Sequence, residues 1–161
     1  MDQIPELLAN ASKLFETADH LAFVTYPMVK EPKLAFTISE HLYNACVNAM
    51  DALLYYEYRY KRLDILPDKF TTKAIIFKQQ IGPRYNIDRS QIFAIEDMHN
   101  LLEDRKKSQV EFRKHDKMVM FHPDYEIKTL TMEKVKSYVH EAKSFLEKIN
   151  SLLKVQNVRR H

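Results

Sequence analysis

The amino-acid sequence predicts a mainly all-α protein, a four- to five-helix up-down bundle with a small β-hairpin inserted before the last helix. Three observations lead there. One Gly and no Trp among 161 residues leave too few turn residues for a sandwich or barrel and plenty of helix formers. Apolar residues recur at three- and four-residue steps along most of the chain. Only between about 108 and 130 does the period fall to two.

The first helix is expected over Gln3 to Thr25, with Ile4, Leu7, Leu8, Ala11, Leu14, Phe15, Ala18, Leu21 and Ala22 on its buried face. Pro5 is tolerated because the first turn has spare N–H groups. Pro27 and Pro32 then bracket a turn. The central helix is expected from Thr37 to Leu63, opened by a capping box of Thr37 and Glu40. It carries an apolar row of Leu42, Cys46, Ala49, Leu53 and Tyr56, and a small-residue row of Ala45, Ala49 and Ala52 that lets a neighbour approach closely. Asn44, Asn48, Asp51 and Tyr55 form a polar row. Arg59, Lys61 and Arg62 sit in the last turns, where cations suit the negative end of the helix dipole.

A third helix is expected from about Lys69 to Ile81, started by Pro67-Asp68 and stopped by Gly82-Pro83. Asp88 and Gln91 imitate a capping box for a fourth, which runs to about Lys107 with Ile92, Ile95, Met98 and Leu102 inward. The alternation of Val110 and Phe112, and of Met118 and Met120, predicts the hairpin, turning at Lys114, His115 and Asp116. Two strands alone are marginal, so this insert has to rest on the helices. The last helix begins at Met132, capped by Thr131 and stapled by Leu130 against Val135, and reaches about Val155. A frayed tail is expected over 157–161. With no repeat or linker, 1–161 reads as a single domain.

Composition excludes several functions. A single Gly cannot build the glycine-rich loops that cradle nucleotides, and no cofactor is implied. The lone Cys46 lies in the apolar row, a position for a buried thiol rather than a nucleophile, and no disulfide framework is possible within the chain, as suits a reducing cytoplasm. No apolar run of ~18 residues is present to span a membrane, and no secretory leader is expected. A net charge of +3 permits an anionic partner without demanding one.

Glu96 and His99 have the Glu-x-x-His spacing of metal-binding four-helix bundles, although only one copy exists and such sites need a second pair. The alternative is a solvated helix face. Arg105, Lys106, Lys107, Arg113, Lys114, His115 and Lys117 form a basic edge suited to RNA phosphates, interleaved with Glu103, Asp104, Glu111 and Asp116. Tyr55, Tyr56, Tyr58 and Tyr60 offer stacking faces for bases, or pack with their hydroxyls at the rim.

The layout resembles the HEPN superfamily of small helical bundles. An amphipathic first helix precedes a long second one carrying Tyr43-Asn44-Ala45, then Ala49, Leu53 and Leu54; shorter helices follow, and a basic, histidine-containing segment leads into the last. The resemblance implies a bundle that pairs with a second copy and, where the family's closely spaced Arg and His are present, metal-independent RNA cleavage. The nearest pair here is Arg113 and His122, with eight residues between them. The expectation is therefore a non-catalytic module binding RNA or a protein partner, with a homodimer through the polar row and rim tyrosines. The competing expectations are an endoribonuclease using Arg113 and His122, and a metal-binding bundle.

Overall fold

Helix α1 (Ile4–His20) runs without a break through a π-helical turn, Leu21–Thr25, into the short α2 (Tyr26–Val29). The computed structural model describes residues 3–159. Pro27 does not end this rod as the sequence suggests. The Tyr26 N–H reaches back five residues to the Leu21 carbonyl, and the widened turn takes a carbonyl out of the way of the proline ring. The rod stops at Lys30, in the left-handed region at φ 51°, where its N–H closes on Tyr26 O at 2.8 Å.

Helix α3 (Leu34–Arg59) starts a turn earlier than the Thr37 capping box predicts. Glu31-Pro32 supplies the real start. Glu31 accepts at its side chain from the Lys33 N–H, 3.3 Å, and at its carbonyl from the Leu34 N–H, 3.1 Å. Thr37 is left inside the helix, its carbonyl 2.8 Å from His41 Nδ1. The helix also ends before Leu63. Lys61 turns left-handed at φ 59°, and the bonds Arg62 N–H to Glu57 O and Lys61 N–H to Tyr58 O close a Schellman motif.

The third rod repeats the device of the first. Helix α4 (Phe70–Ile76) passes through a π turn, Phe77–Ile81, into α5 (Gly82–Tyr85), and the Gly82 N–H bonds to Phe77 O. Gly82-Pro83 therefore continues the rod instead of stopping it; Asn86, left-handed at φ 60°, ends it. Helix α6 (Arg89–Lys107) follows, with Asp88 at the capping position in extended conformation but without a side-chain cap bond.

The insert is larger than a hairpin. Strands β1 (Val110–Lys114) and β2 (Lys117–Phe121) turn at His115-Asp116, and β3 (Ile127–Leu130) adds a third antiparallel strand in the order β1-β2-β3. Opposed residues share a face, so the register places Glu111, Arg113, Met118, Met120, Lys128 and Leu130 on one side. Val110, Phe112, Lys114, Lys117, Val119, Phe121, Ile127 and Thr129 lie on the other. Met118, Met120 and Leu130 join the main core, which seats the sheet on the helices by its first face. Helix α7 (Met132–Arg159) closes the fold, capped by Thr131 Oγ1 accepting from the Lys134 N–H at 3.2 Å. It extends through residues 157–159 of the expected frayed tail; 160 and 161 lie outside the described residues.

The helices pack around α3, which touches α1, α6 and α7. Its Ala45, Ala49 and Ala52 are fully buried, and α1 brings buried Ala11 and Ala18. Small residues on both rods allow the close approach that the sequence pattern anticipates. Cys46 is buried among them. No helix among the described residues is long and apolar enough to cross a membrane.

Gly82 is needed for space, since its φ of −55° suits any residue. A Cβ there would lie 2.6 Å from the Phe77 carbonyl oxygen that the π turn pushes outward, and 3.4 Å from Ile92 Cδ1. Helix propensity alone would favour Gly82→Ala by ~1 kcal/mol. We expect the opposite sign, a loss of about 1–3 kcal/mol from overpacking, read as a lower urea midpoint with an unchanged slope. A raised midpoint would show that the π turn gives way freely.

Candidate nucleic-acid interface

The structure does not bring Arg113 and His122 together. Arg113 lies opposite Met118 near the turn of the hairpin, and His122 follows β2 at its other end, roughly 13 Å further at ~3.3 Å per residue. Arg113 Nη1 faces Glu31 at 3.6 Å, and its Nε–H donates to His115 O. His122 is buried, with Nε2 unpartnered, and its backbone closes the β2–β3 loop on Glu126 and Tyr125.

Glu96 and His99 also part company. Glu96 pairs with Lys78 at 2.9 Å, whereas His99 points to α3, its Nδ1 3.1 Å from the Tyr43 hydroxyl and its ring stacked on Phe70 with centroids 4.4 Å apart. Among the described residues no three His, Cys, Asp or Glu side chains gather as metal ligands. Tyr43, Asn44, His99 and Arg105 help line a cavity of about 300 Å³ between α3 and α6. Partial burial, with Glu103 and Asp51 nearby, pushes the Tyr43 phenol up to about 12, so it stays protonated at neutral pH. Burial raises the Cys46 thiol well above its ordinary value, which leaves it no nucleophilic role.

The basic edge is largely engaged within the chain. Arg105 forks onto Glu111 at 3.1 and 3.2 Å and lies 4.1 Å over the Phe36 ring. Lys106 pairs with Glu103. Lys107, Lys114 and Lys117 are exposed. The polar row of α3 is engaged too, with Asn48 donating to Asn44 O and Asp51 pairing with Lys73 at 2.7 Å.

A denser cationic surface forms at the C-terminal end of α3. Glu57 is fully buried there, an uncommon place for a carboxylate. Two guanidinium groups converge on it, Arg84 Nη1 at 2.9 Å from Oε1 and Arg62 Nη1 at 3.4 Å from Oε2. Arg62 also donates to the Tyr85 hydroxyl at 3.2 Å. Burial and the adjoining Glu57 push the Tyr85 phenol up to about 12. The left-handed Lys61 throws Arg62 back over the helix end, while α5 delivers Arg84 from the other side. Each guanidinium has five donors in a planar fork, so holding one carboxylate leaves N–H groups over, and the cluster keeps a net positive charge. Lys61 is exposed beside the cluster without joining it. Tyr56 is buried beneath Arg62, its ring centroid 6.0 Å from Cζ. Tyr55 packs partly into the core, and Tyr58 and Tyr60 stay 42% and 39% exposed. The run Tyr55-Tyr-Glu-Tyr-Arg-Tyr-Lys-Arg62 was the visible signal. Arg84 and Tyr85 carried none, because only the continuation of the rod past Pro83 brings them there.

Compared with known proteins, the chain matches no family model, no curated protein and no solved structure.

Two measurements check these clusters. Arg84→Ala leaves Glu57 with Arg62 as its remaining guanidinium and is expected to cost roughly 2–3 kcal/mol, less than the ~3–5 for a pair losing its sole partner; an unchanged denaturation midpoint would show that the carboxylate has other support. The second is alkaline stability. Between the ordinary tyrosine value near 10 and about 12, the unfolded chain releases phenolic protons that folded Tyr43 and Tyr85 retain. The stability these two phenols contribute is therefore intact below that window and falls as pH rises through it. That fall adds to the loss from Tyr138, whose phenol is also raised by burial and Asp97, and from Cys46, whose thiol ionises at lower pH in the unfolded chain. Tyr43→Phe removes one of these groups and makes the fall shallower, measured by urea midpoints at about pH 9 and about pH 11.

Proposed function

We propose that this chain is a cytoplasmic, HEPN-like helical bundle that binds single-stranded RNA without cleaving it, through the arginine- and tyrosine-bearing end of α3 and α5. The observation that carries the reading is the convergence of Arg62 and Arg84 on buried Glu57. Ion pairing draws both guanidinium groups to the carboxylate before any ligand arrives, although Arg84 meets Oε1 without hydrogen-bond geometry, so less side-chain freedom is lost when a phosphate binds. Lys61 adds charge for a neighbouring phosphate. Tyr58, exposed beside it, offers a ring face for unpaired bases, as does the outer side of Tyr60, whose ring packs on that of Tyr56 with centroids 4.7 Å apart, and stacking on aromatic side chains tolerates any base. The separation of Arg113 from His122 supports leaving cleavage out.

Fluorescence anisotropy of a short labelled single-stranded RNA, titrated at several salt concentrations, tests the proposal. Affinity should fall as salt rises, by about 0.7 in log–log slope for each phosphate neutralised. Lys61→Gln should make that slope shallower by about 0.7, and Tyr58→Ala should weaken binding by about 1–3 kcal/mol. Neither side chain belongs to the Glu57 cluster, so both variants should keep the parent thermal midpoint. Absence of salt-dependent binding, or equal binding by all three proteins, would overturn the reading. RNA that is cut by the parent but not by Arg113→Ala or His122→Ala would replace it with the endoribonuclease.

A further inference from the structure

Strand β1 forms one edge of the sheet, and all five of its residues are exposed. An edge strand presents a row of backbone N–H and C=O groups ready to pair with another chain. Charges on an edge usually guard it against such pairing. On β1 their order does something else, because Val110-Glu111-Phe112-Arg113-Lys114 is self-complementary when laid antiparallel on itself. We propose that β1 pairs with β1 of a second copy about a two-fold axis through Phe112, joining two three-stranded sheets into one continuous sheet.

The register follows from the side chains. A two-fold axis normal to the sheet carries each face onto the same face, so opposed residues must come from the same face. That restricts the axis to a residue position. Centred on Phe112, Glu111 of each copy faces Arg113 of the other, twice over by symmetry, and Phe112 meets its own counterpart. Centred on Glu111 or on Arg113, like charges would stand directly opposed, which destabilises a strand pair. Only the Phe112 register brings opposite charges together.

The outer face argues for the same occupant. Val110, Phe112, Phe121 and Ile127 are 36–58% exposed there, around a buried Val119. No carboxylate shares that face within the strands, and Lys114 and Lys117 stand at its turn end. Pairing at β1 would continue this apolar surface across the axis and cover the Phe112 ring with its mate. Of the groups it recruits, Arg113 is held only lightly elsewhere, and Glu111 keeps room for a second partner. Arg113 faces Glu31 across 3.6 Å with both side chains at least half exposed, and Glu111, though forked by Arg105, has lone pairs for a second guanidinium. An interface of one strand pair is small, so the dimer should be concentration-dependent. This surface is separate from the α3 end, and the inference does not rest on RNA binding there.

Sedimentation equilibrium of the full chain over a range of concentrations tests it. The parent should shift toward dimer mass as concentration rises. Glu111→Arg alone and Arg113→Glu alone each set like charges across the axis and should stay monomeric. Mixing these two variants restores both opposite-charge contacts and should regenerate dimer, a rescue that a general loss of folding could not produce. Phe112→Lys disturbs no ion pair within the chain and should be monomeric with an unchanged circular dichroism spectrum. A parent that remains monomeric, a Phe112→Lys protein that dimerises like the parent, or a mixture that stays monomeric would each overturn the pairing.

Discussion

The whole arrangement depends on α3 being enclosed by α1, α6 and α7 at once. A helix surrounded in this way has no single greasy stripe; it needs small residues where a neighbour crosses closely and large ones where the gap widens. Ala45, Ala49 and Ala52 meet the first need, and Leu42, Met50, Leu53 and Leu54 the second, all essentially without exposure. The surrounding pieces are then fastened at the rim of this rod by charge. Lys73 reaches Asp51 and Arg84 reaches Glu57, so the rod of α4 and α5 is tied to α3 at two heights. On the far side Arg105 lies over Phe36.

How much of this was legible follows from range. Periodicities that repeat within one element were readable: the α1 stripe, the apolar and alanine rows of α3, the alternation of β1 and β2, and Thr131 as the cap of α7. The misreadings share a cause, since each needed knowledge of backbone geometry that residue type does not encode. Pro27 and Pro83 look like breaks under i to i−4 bonding, yet one extra residue in the preceding turn removes the clash, and both rods run on for a further α turn. Thr37 imitates a start because hydroxyl and Glu spacing repeats by chance inside a helix, whereas the real start is Glu31 bonding its own neighbours. β3 has four residues, Ile-Lys-Thr-Leu, whose residue types do not alternate apolar with polar although their burial does, so only its pairing with β2 defines it.

The candidate site divides along the same line. The tyrosine and arginine run at the end of α3 was open to view, but its importance was not, because the organising group is the buried Glu57 and its second arginine lies beyond a proline. In the 103–117 stretch, charges of both signs seemed to cancel along the sequence. Folding sorts them by geometry instead. Strand alternation sends Glu111 and Arg113 to one face, and Lys114 and Lys117 to the other, while Lys106 is neutralised by Glu103 one helical turn away. Local net charge is thus a poor guide wherever a helix hands over to a strand, since the rule deciding which residues are neighbours changes at the junction.

Cys46 gives the protein an internal clock. As the lone thiol of the chain, sealed inside α3 and held in its unreactive protonated form, it meets a thiol-specific reagent only when the centre of the fold opens. The rate of its alkylation in otherwise native buffer therefore counts those rare openings. It reports on the innermost layer with no label to introduce and no denaturant to extrapolate from.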